Sequence, residues 1–312
     1  MNHSTAVPDG CRSPLDPTAK VEIRRSIPVP DLVAGWRTSF GIDVAGEFDG
    51  AATIHLCSCK RSGLGFFWPM TAGSPRLYAE LESRPWYYRR GQWEYNHAIS
   101  LVPAGAQLLD LGCGAGLFVE QCRSLGHAAE GIDFNPAAVA RAQTAGLPVR
   151  CGDWEQLAAE KPNAYGMVTA FQLLEHLSDP LPFLRSAVRL LRPGGRLLLA
   201  VPDSDGWLAR TGNLLDMPPH HVLHWNPEAM RFLTRLFPRE LEELAIEPLD
   251  PDHVGDYVRA RISPVTKPGA RSGLCARALI RTCATVVSIP VVRKRCSGQS
   301  MVAVFRRLEG LA

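Results

Sequence analysis

An apolar strand that runs into a glycine turn and out into a helix constrains this chain more than any other feature. Residues Leu108–Gly116 read LLDLGCGAG, and a helical pattern follows over Leu117–Leu125, with Gly126 suited to its C-terminal stop. Glycines at 112, 114 and 116 permit a tight turn and a close approach of backbone to a ligand. The helix start adds N–H groups with no intrahelical partner. Downstream the alternation continues. Strand patterns at Ala128–Ile132, Val149, Met167–Phe171 and Arg196–Val201 are separated by helical patterns at Pro136–Ala145 and Pro182–Leu191. Asn226-Pro227-Glu228 opens a further helix to Phe237, and Leu244–Ile246 and Met301–Phe305 are late strands. Strands alternating with helices predict an α/β fold with a doubly wound, parallel sheet.

Three acids surround the turn. Asp110 lies two residues before Gly112, where it can face an ammonium. Asp133 ends the second strand, 21 residues past Gly112, the spacing of an acid that binds ribose hydroxyls. A carboxylate there accepts two hydrogen bonds from a diol. Asp153 follows the third strand in Cys151-Gly152-Asp153-Trp154. It reads either as an acceptor for an adenine amino group, with Trp154 covering the ring, or as an ordinary helix cap.

With these residues in view, the chain resembles the class I S-adenosylmethionine-dependent methyltransferases. The likeness is to the small-molecule type that includes the quinone-biosynthesis O-methyltransferases. It rests on LLDLGCGAG, on Gly131–Asp133, on GDWEQL at Gly152–Leu157, on VTAFQLLEHLSDP at Val168–Pro180 and on LRPGG at Leu191–Gly195. It extends over roughly residues 86–305. The resemblance implies a mostly parallel, seven-stranded Rossmann-like sheet with helices on both faces, and S-adenosyl-L-methionine as cofactor. It implies Asp110 near the methionine amine, Gly112, Gly114 and Gly116 at the turn, Asp133 on the ribose and Asp153 near adenine. Phe134, Trp154 and Gln172 complete the implied cofactor set. Two departures stand out. Gly166 takes a position before the fourth strand where the family often has an acid. Gln172 takes a position where some quinone enzymes, thought to use a divalent metal, have a Glu before the Glu175-His176 pair. A hard cation prefers carboxylate oxygen, so no metal is expected.

Methyl transfer from a sulfonium needs the nucleophile held in line, and a base only where the nucleophile carries a proton that must leave. Candidates cluster in Met217–Trp225, where His220, His221 and His224 sit near Trp207 and Trp225. Imidazole titrates in the useful range. His221 is the closest match to a His that the family often has in this loop. These histidines read either as catalytic groups or as packing before the Asn226 helix. His176, behind the fourth strand, is a second candidate.

The rest of the chain bounds the reading. It has 312 residues, 46% apolar and 21% charged, enough for one large or two small domains. Residues 1–30 read as a flexible lead-in. Residues 31–85 read as a small module with a hairpin of Thr53–Cys57 and Leu64–Trp68 about the turn Lys60–Gly63. The methyltransferase domain then runs over 86–312, opening on an aromatic helical segment from Trp86 to Leu101 that includes Tyr88. Cys57-x-Cys59 with Cys11 lacks the second close pair that a zinc site wants, so a degenerate module packed on the catalytic domain is the expected reading. Nine scattered cysteines are no secreted disulfide framework. With no apolar N-terminal region and no run of 18 apolar residues, the cytoplasm is the default compartment.

Net charge conceals an asymmetry. Residues 1–257 carry 23 Lys and Arg against 30 Asp and Glu, whereas Val258–Met301 has nine basic residues and no acid. Within this basic insertion (about 258–300), Leu274, Ala278, Leu279, Thr282, Val286 and Ile289 share a helical face. The segment reads as a helix packed on the domain, or as one that meets an anionic membrane or an acidic substrate. Nucleic acid is not expected, because the remaining chain is acidic and shows no recognised binding motif.

The composite expectation is a methyltransferase acting on O, N or C of a small-molecule acceptor. Rival classes are a nicotinamide-dependent oxidoreductase, whose fingerprint G-x-G-x-x-G differs from the G-x-G-x-G here, and a non-catalytic cofactor-binding partner protein.

Overall fold

The structure is a computed structural model that describes residues 7–84, 87, 92–206, 209, 212–247, 254–262, 273–293, 296 and 298–309. Its N-terminal part comprises β1 (Val21–Pro28), α1 (Val29–Phe40), β2 (Thr53–Cys59), β3 (Gly65–Trp68) and α2 (Pro75–Glu82). The hairpin forms at the expected turn, with Cys57 opposite Phe66. Proline opens both helices, at their first turns, where its missing N–H is not needed. α1 buries Val29, Leu32, Val33 and Trp36 against Phe67 and Leu77.

The second part follows the alternation read from the sequence. It comprises α3 (Trp93–Ser100), β4 (Gln107–Leu111), α4 (Leu117–Ser124), β5 (Ala128–Asp133), α5 (Pro136–Thr144), β6 (Val149–Cys151), α6 (Trp154–Glu160), β7 (Tyr165–Phe171), α7 (Pro180–Leu190) and β8 (Leu191–Pro202). Then come β9 (Leu223–His224), α8 (Pro227–Leu236), β10 (Leu241–Glu247), α9 (Val254–Ile262), α10 (Gly273–Ser288), α11 (Pro290–Arg293) and β11 (Ser300–Arg307). The large sheet has seven strands in the order β10-β11-β8-β7-β4-β5-β6. β8, β7, β4, β5 and β6 pair in parallel, and β11 enters antiparallel between β8 and β10. Strand order reverses between β4 and β7, so the crevice at their carboxyl ends is where a sheet of this kind binds its ligand.

Two expectations change. The lead-in is not loose where it is described: β1 pairs along the whole of β2, and Leu15 is 2% exposed in the same core as β4 and β8. The module shares a sheet with the larger part: β9 comes from the loop beyond β8 and extends the first sheet to β1-β2-β3-β9. The helical segment expected over Trp86–Leu101 is helical over Trp93–Ser100. Trp86, Tyr88 and Trp207 lie outside the described residues.

α2 also grips the larger part. Glu82 Oε1 accepts from Asn135 Nδ2 at 2.8 Å, and Oε2 pairs with Arg141 Nη2 at 2.9 Å. Replacing Leu15 with Ala tests this joint core. A buried Leu→Ala change costs about 2–5 kcal/mol, against nearly nothing in a loose lead-in. Urea unfolding of Leu15→Ala is expected to show that loss.

Candidate active site

The glycine turn is built as its sequence requires. Gly112, Gly114 and Gly116 all have positive φ, at 71°, 53° and 77°. A side chain at 112 would meet Leu173 at 2.8 Å, and one at 116 would meet Leu147 at 2.9 Å. The turn is tied to the end of β5. Gly112 N donates to Ile132 O at 2.9 Å, and Gly114 N donates to Asp133 Oδ2 at 2.7 Å. Asp133 Oδ1 accepts from Asn135 N at 2.8 Å. Each Asp133 oxygen keeps a further lone pair, the pair of acceptors that a ribose diol needs. Burial pushes this carboxyl up, while the N–H donors of Asn135 and Gly114 pull it back.

Asp110 is buried at the end of β4 and accepts from Thr169 Oγ1 at 2.7 Å. Burial drives its pKa up to about 8, with Asp133 adding to the rise. Asp153 caps α6, its Oδ1 accepting from Glu155 N at 2.7 Å, so the structure uses it as the helix cap weighed in the sequence. Trp154 does not lie open over a ligand. It is 8% exposed, with Phe134 and Phe183 against its ring at 4.2 and 5.2 Å. Phe134, 51% exposed beside it, is the ring that faces outward. Gln172 turns the chain out of β7 with φ 50° and N donating to Ala200 O. These residues suit an adenosyl group and a methionine moiety: a diol-binding carboxylate, a side-chain-free turn, an open aromatic ring and a buried acid for a cation.

The turn after β7 carries the second group. Glu175 and His176 lie in a short 3₁₀ turn over Leu174–His176, one turn from the Leu173 that covers Gly112. The His loop docks here through Val222 N donating to Glu175 O at 2.9 Å. The rings of His176, His220 and His221 then meet with centroids 4.4–4.8 Å apart. His176 Nδ1 donates to His220 O at 2.7 Å. His220 is held at both nitrogens, by Leu215 O at 2.8 Å and by Tyr87 Oη at 3.0 Å. His221 Nδ1 lies 3.1 Å from Asp216 Oδ1. Burial lowers all three imidazoles, His176 to about 4, and mutual repulsion lowers His220 and His221 further.

Glu175 completes the cluster and is a residue that sequence reading did not single out as a site. It is 1% exposed, and neither carboxylate oxygen has a hydrogen-bond donor among the described residues. Its Oε1 is 4.0 Å from Nε2 of both His176 and His221. Burial raises its pKa well above the usual carboxylate range. Asp216, Tyr78 and Tyr87 were also missed. Tyr78 Oη reaches His176 Nδ1 at 3.0 Å from α2, a contact that no local pattern announces. The three imidazoles have ring nitrogens within 4.8 Å of one another, a spacing that raises the question of a metal. The His220 and His221 rings stack at 22°, however, so their lone pairs run in nearly parallel planes instead of converging on one point.

The N-terminal cysteines form a buried thiol group. Cys11 Sγ lies 3.7 Å from Cys57 Sγ, and Cys59 Sγ accepts from Ser62 N. Burial raises Cys57 to about 12, so it stays a neutral thiol packed as a small hydrophobe.

Comparison with known proteins settles the family. The model of a methyltransferase domain matches residues 86–245, just over half of the chain, and spans the glycine turn, Asp133, Asp153 and the histidine cluster. The chain belongs to the class I S-adenosylmethionine-dependent methyltransferases. A ubiquinone biosynthesis O-methyltransferase of Xanthomonas oryzae pv. oryzae is 36% identical over 139 residues, which is 39% of this chain and 58% of that protein. Its counterpart in Xanthomonas campestris pv. campestris is 40% identical over 102 residues, 31% of this chain and 43% of the relative. This chain thus spans about half the length of these curated relatives. A SAM dependent methyltransferase from Archaeoglobus fulgidus shares the fold, with a TM-score of 0.50 at 16% identity, covering 75% of this chain and all of that one. The family assignment removes the nicotinamide reading, and S-adenosylmethionine is its cofactor.

Two outcomes follow for this methyltransferase domain. Asp133→Ala removes a charged acceptor worth about 1.5–3 kcal/mol, so cofactor affinity by calorimetry is expected to fall roughly ten- to a hundredfold. Asp110, with its pKa at about 8, carries a proton at neutral pH before a cation approaches. A cationic ligand favours the ionised form, so calorimetry in buffers of differing ionisation enthalpy is expected to show proton release on cofactor binding at pH 7. Asp110→Asn should abolish that release.

Proposed function

We propose that this protein transfers a methyl group from S-adenosylmethionine to a hydroxyl oxygen of a small-molecule acceptor, with His221 as the general base. The observation that carries the reading is the Asp216–His221 pair beside the glycine turn. An imidazole whose Nδ1 donates to a carboxylate at 3.1 Å is fixed in the tautomer that leaves Nε2 to accept a proton. That nitrogen belongs to the buried cluster at the carboxyl end of β7, next to the residues that suit the cofactor. Oxygen is favoured because a hydroxyl nucleophile must lose a proton, which gives the base a purpose. The curated relatives named as O-methyltransferases support the same choice.

The chain's own residues divide the work. Asp133 and the glycine turn hold the nucleoside end, and Asp110 balances the charge of the methionine moiety. When bound, S-adenosylmethionine supplies an already activated methyl. His221 Nε2 takes the acceptor proton, Asp216 stabilises the resulting imidazolium, and Tyr78 and Tyr87 fix His176 and His220 in place. His220 and His176 are read as positioning groups, since their Nδ1 atoms hold main-chain carbonyls. Burial of this wall keeps water from competing as an acceptor.

The test is transfer of labelled methyl to a panel of phenols, catechols and aliphatic alcohols, beside matched amines. Transfer to hydroxyl acceptors supports the reading, and cofactor binding without turnover on any of them overturns it. His221→Ala and Asp216→Asn are each expected to lower kcat by roughly a hundredfold or more, with cofactor affinity unchanged. The lowered pKa of His221 sets the pH profile. A base whose pKa lies below the ordinary imidazole value stays neutral in weak acid, so kcat/KM should hold steady down to about pH 6 and fall only beneath it.

A further inference from the structure

Large apolar side chains that stand exposed among the described residues are scattered over most of the chain: Val7, Leu125, Phe134 and Leu244. The remaining four crowd into α10 and the α11 segment behind it. Leu279, Val286 and Ile289 are each 50% exposed, and Val291 is 67% exposed. Leu279, Val286 and Ile289 recur at helical spacing, seven and three residues apart, and form one stripe. This stripe is not the helix's packing face. Ile280, Cys283, Ala284 and Val287 serve that purpose against Val254, Tyr257 and Val258 of α9. α10 is therefore apolar on two sides: one covered by α9 and one turned outward. The sequence put Leu279, Val286 and Ile289 on one helical face and left open whether it packs on the domain or meets a partner; here that face is turned outward.

Charge selects what the outward side meets. Val258–Met301 holds nine basic residues and no acid, in a chain that is otherwise net acidic up to residue 257. Arg281 lies exposed on α10 itself. A second copy stacked face to face would bring two such cationic segments together, which is unfavourable. A neutral apolar partner would leave the cations without a role. A surface that is anionic in its outer layer and apolar just beneath satisfies both features at once.

We propose that the outward face of α10 and α11 is a peripheral docking surface for an anionic lipid bilayer. Arg281 would lie against the headgroups, while Leu279, Val286, Ile289 and Val291 enter the boundary with the acyl chains. None of these residues is among those assigned above to the cofactor or to the base, so this inference stands independently of the acceptor and of the base.

Co-sedimentation of the full chain with vesicles tests it. Phosphatidylcholine vesicles containing phosphatidylglycerol are expected to pellet the protein at low salt, and partitioning should fall about tenfold or more at high salt as the charges are screened. Pure phosphatidylcholine should leave it in the supernatant. Val286→Ser with Ile289→Ser should lose binding. Arg281→Gln, Arg293→Gln, Lys294→Gln and Arg295→Gln together should also lose it. Both variants are expected to keep the circular dichroism, thermal midpoint and calorimetric cofactor affinity of the parent, which separates lost docking from lost folding. Four results would each overturn the proposal: equal pelleting with neutral lipid, no pelleting with anionic lipid at low salt, undiminished pelleting of the Ser variant, or a dimer in sedimentation equilibrium that the Ser variant dissociates.

Discussion

The tie between the glycine turn and the end of β5 is the constraint on which the cofactor cleft depends. Gly112 N and Cys113 N both donate to Ile132 O, and Gly114 N donates to Asp133 Oδ2. These bonds fold the chain back over β5 before α4 begins, and they need left-handed backbone at three alternate positions. A side chain at 112 would strike Leu173, which begins the turn carrying Glu175 and His176. The turn thus sets both sides of the crevice: it aims Asp133, and it leaves the segment after β7 room to settle beside it. Gly131 extends the same logic below the turn, since a Cβ there would meet Cys113 Sγ at 2.6 Å.

The N-terminal part supplies what the parallel sheet alone lacks. Its hairpin pairs with β9, which fixes the loop just after His220 and His221. Its helix α2 sends Tyr78 to His176 and Glu82 to Asn135 and Arg141. One short helix therefore reaches both the histidine cluster and the helix that follows Asp133. Burial of the histidines is a product of this assembly and not of the loop's own sequence. His220 and His221 are 6% and 7% exposed, and Trp36 of α1 approaches His220 edge-on at 6.5 Å. The low imidazole pKa values follow from that enclosure.

Much of this was legible in sequence because local chemistry dictates it. The strand–turn–helix unit, the acid ending β5, the hairpin about Lys60–Gly63 and the helix opened by Asn226 each rest on residues within a few positions of one another. Asn226 indeed caps α8, with Oδ1 accepting from Ala229 N at 2.8 Å. What was not legible rests on distant pairing. β1 carries Arg24 and Arg25 among its residues and shows no clean alternation, yet it becomes a strand because β2 offers it an edge. Glu175 looked like half of a Glu-His pair, and its isolation between two imidazoles emerges only when the His loop folds over it. Trp154 and Phe134 illustrate the same limit. Both are aromatic residues near the expected cofactor cleft, and only packing against Phe183 decides which is buried.

The histidine cluster has one further electrostatic consequence. Three imidazoles in mutual contact cannot all become charged, because each protonation lowers the others, and the rings titrate as one coupled set. Geometry then ranks the sites. His220 already accepts a hydrogen bond at Nε2 from Tyr87, and His176 has a carbonyl and the Tyr78 hydroxyl, but no carboxylate, at its Nδ1. His221 alone of the three has a carboxylate at its Nδ1 and a second carboxyl facing its Nε2. Charge on this imidazole is stabilised on the Asp216 side, and Glu175, itself inclined to hold a proton by its burial, adds an acceptor that can ionise when the ring becomes cationic. In the reading proposed above, this geometry favours His221 as the ring that takes the acceptor proton, with its neighbours holding the wall in register. The proposed base would thus be one ring of the three, with the hydrogen bonds of His176 and His220 spent on position.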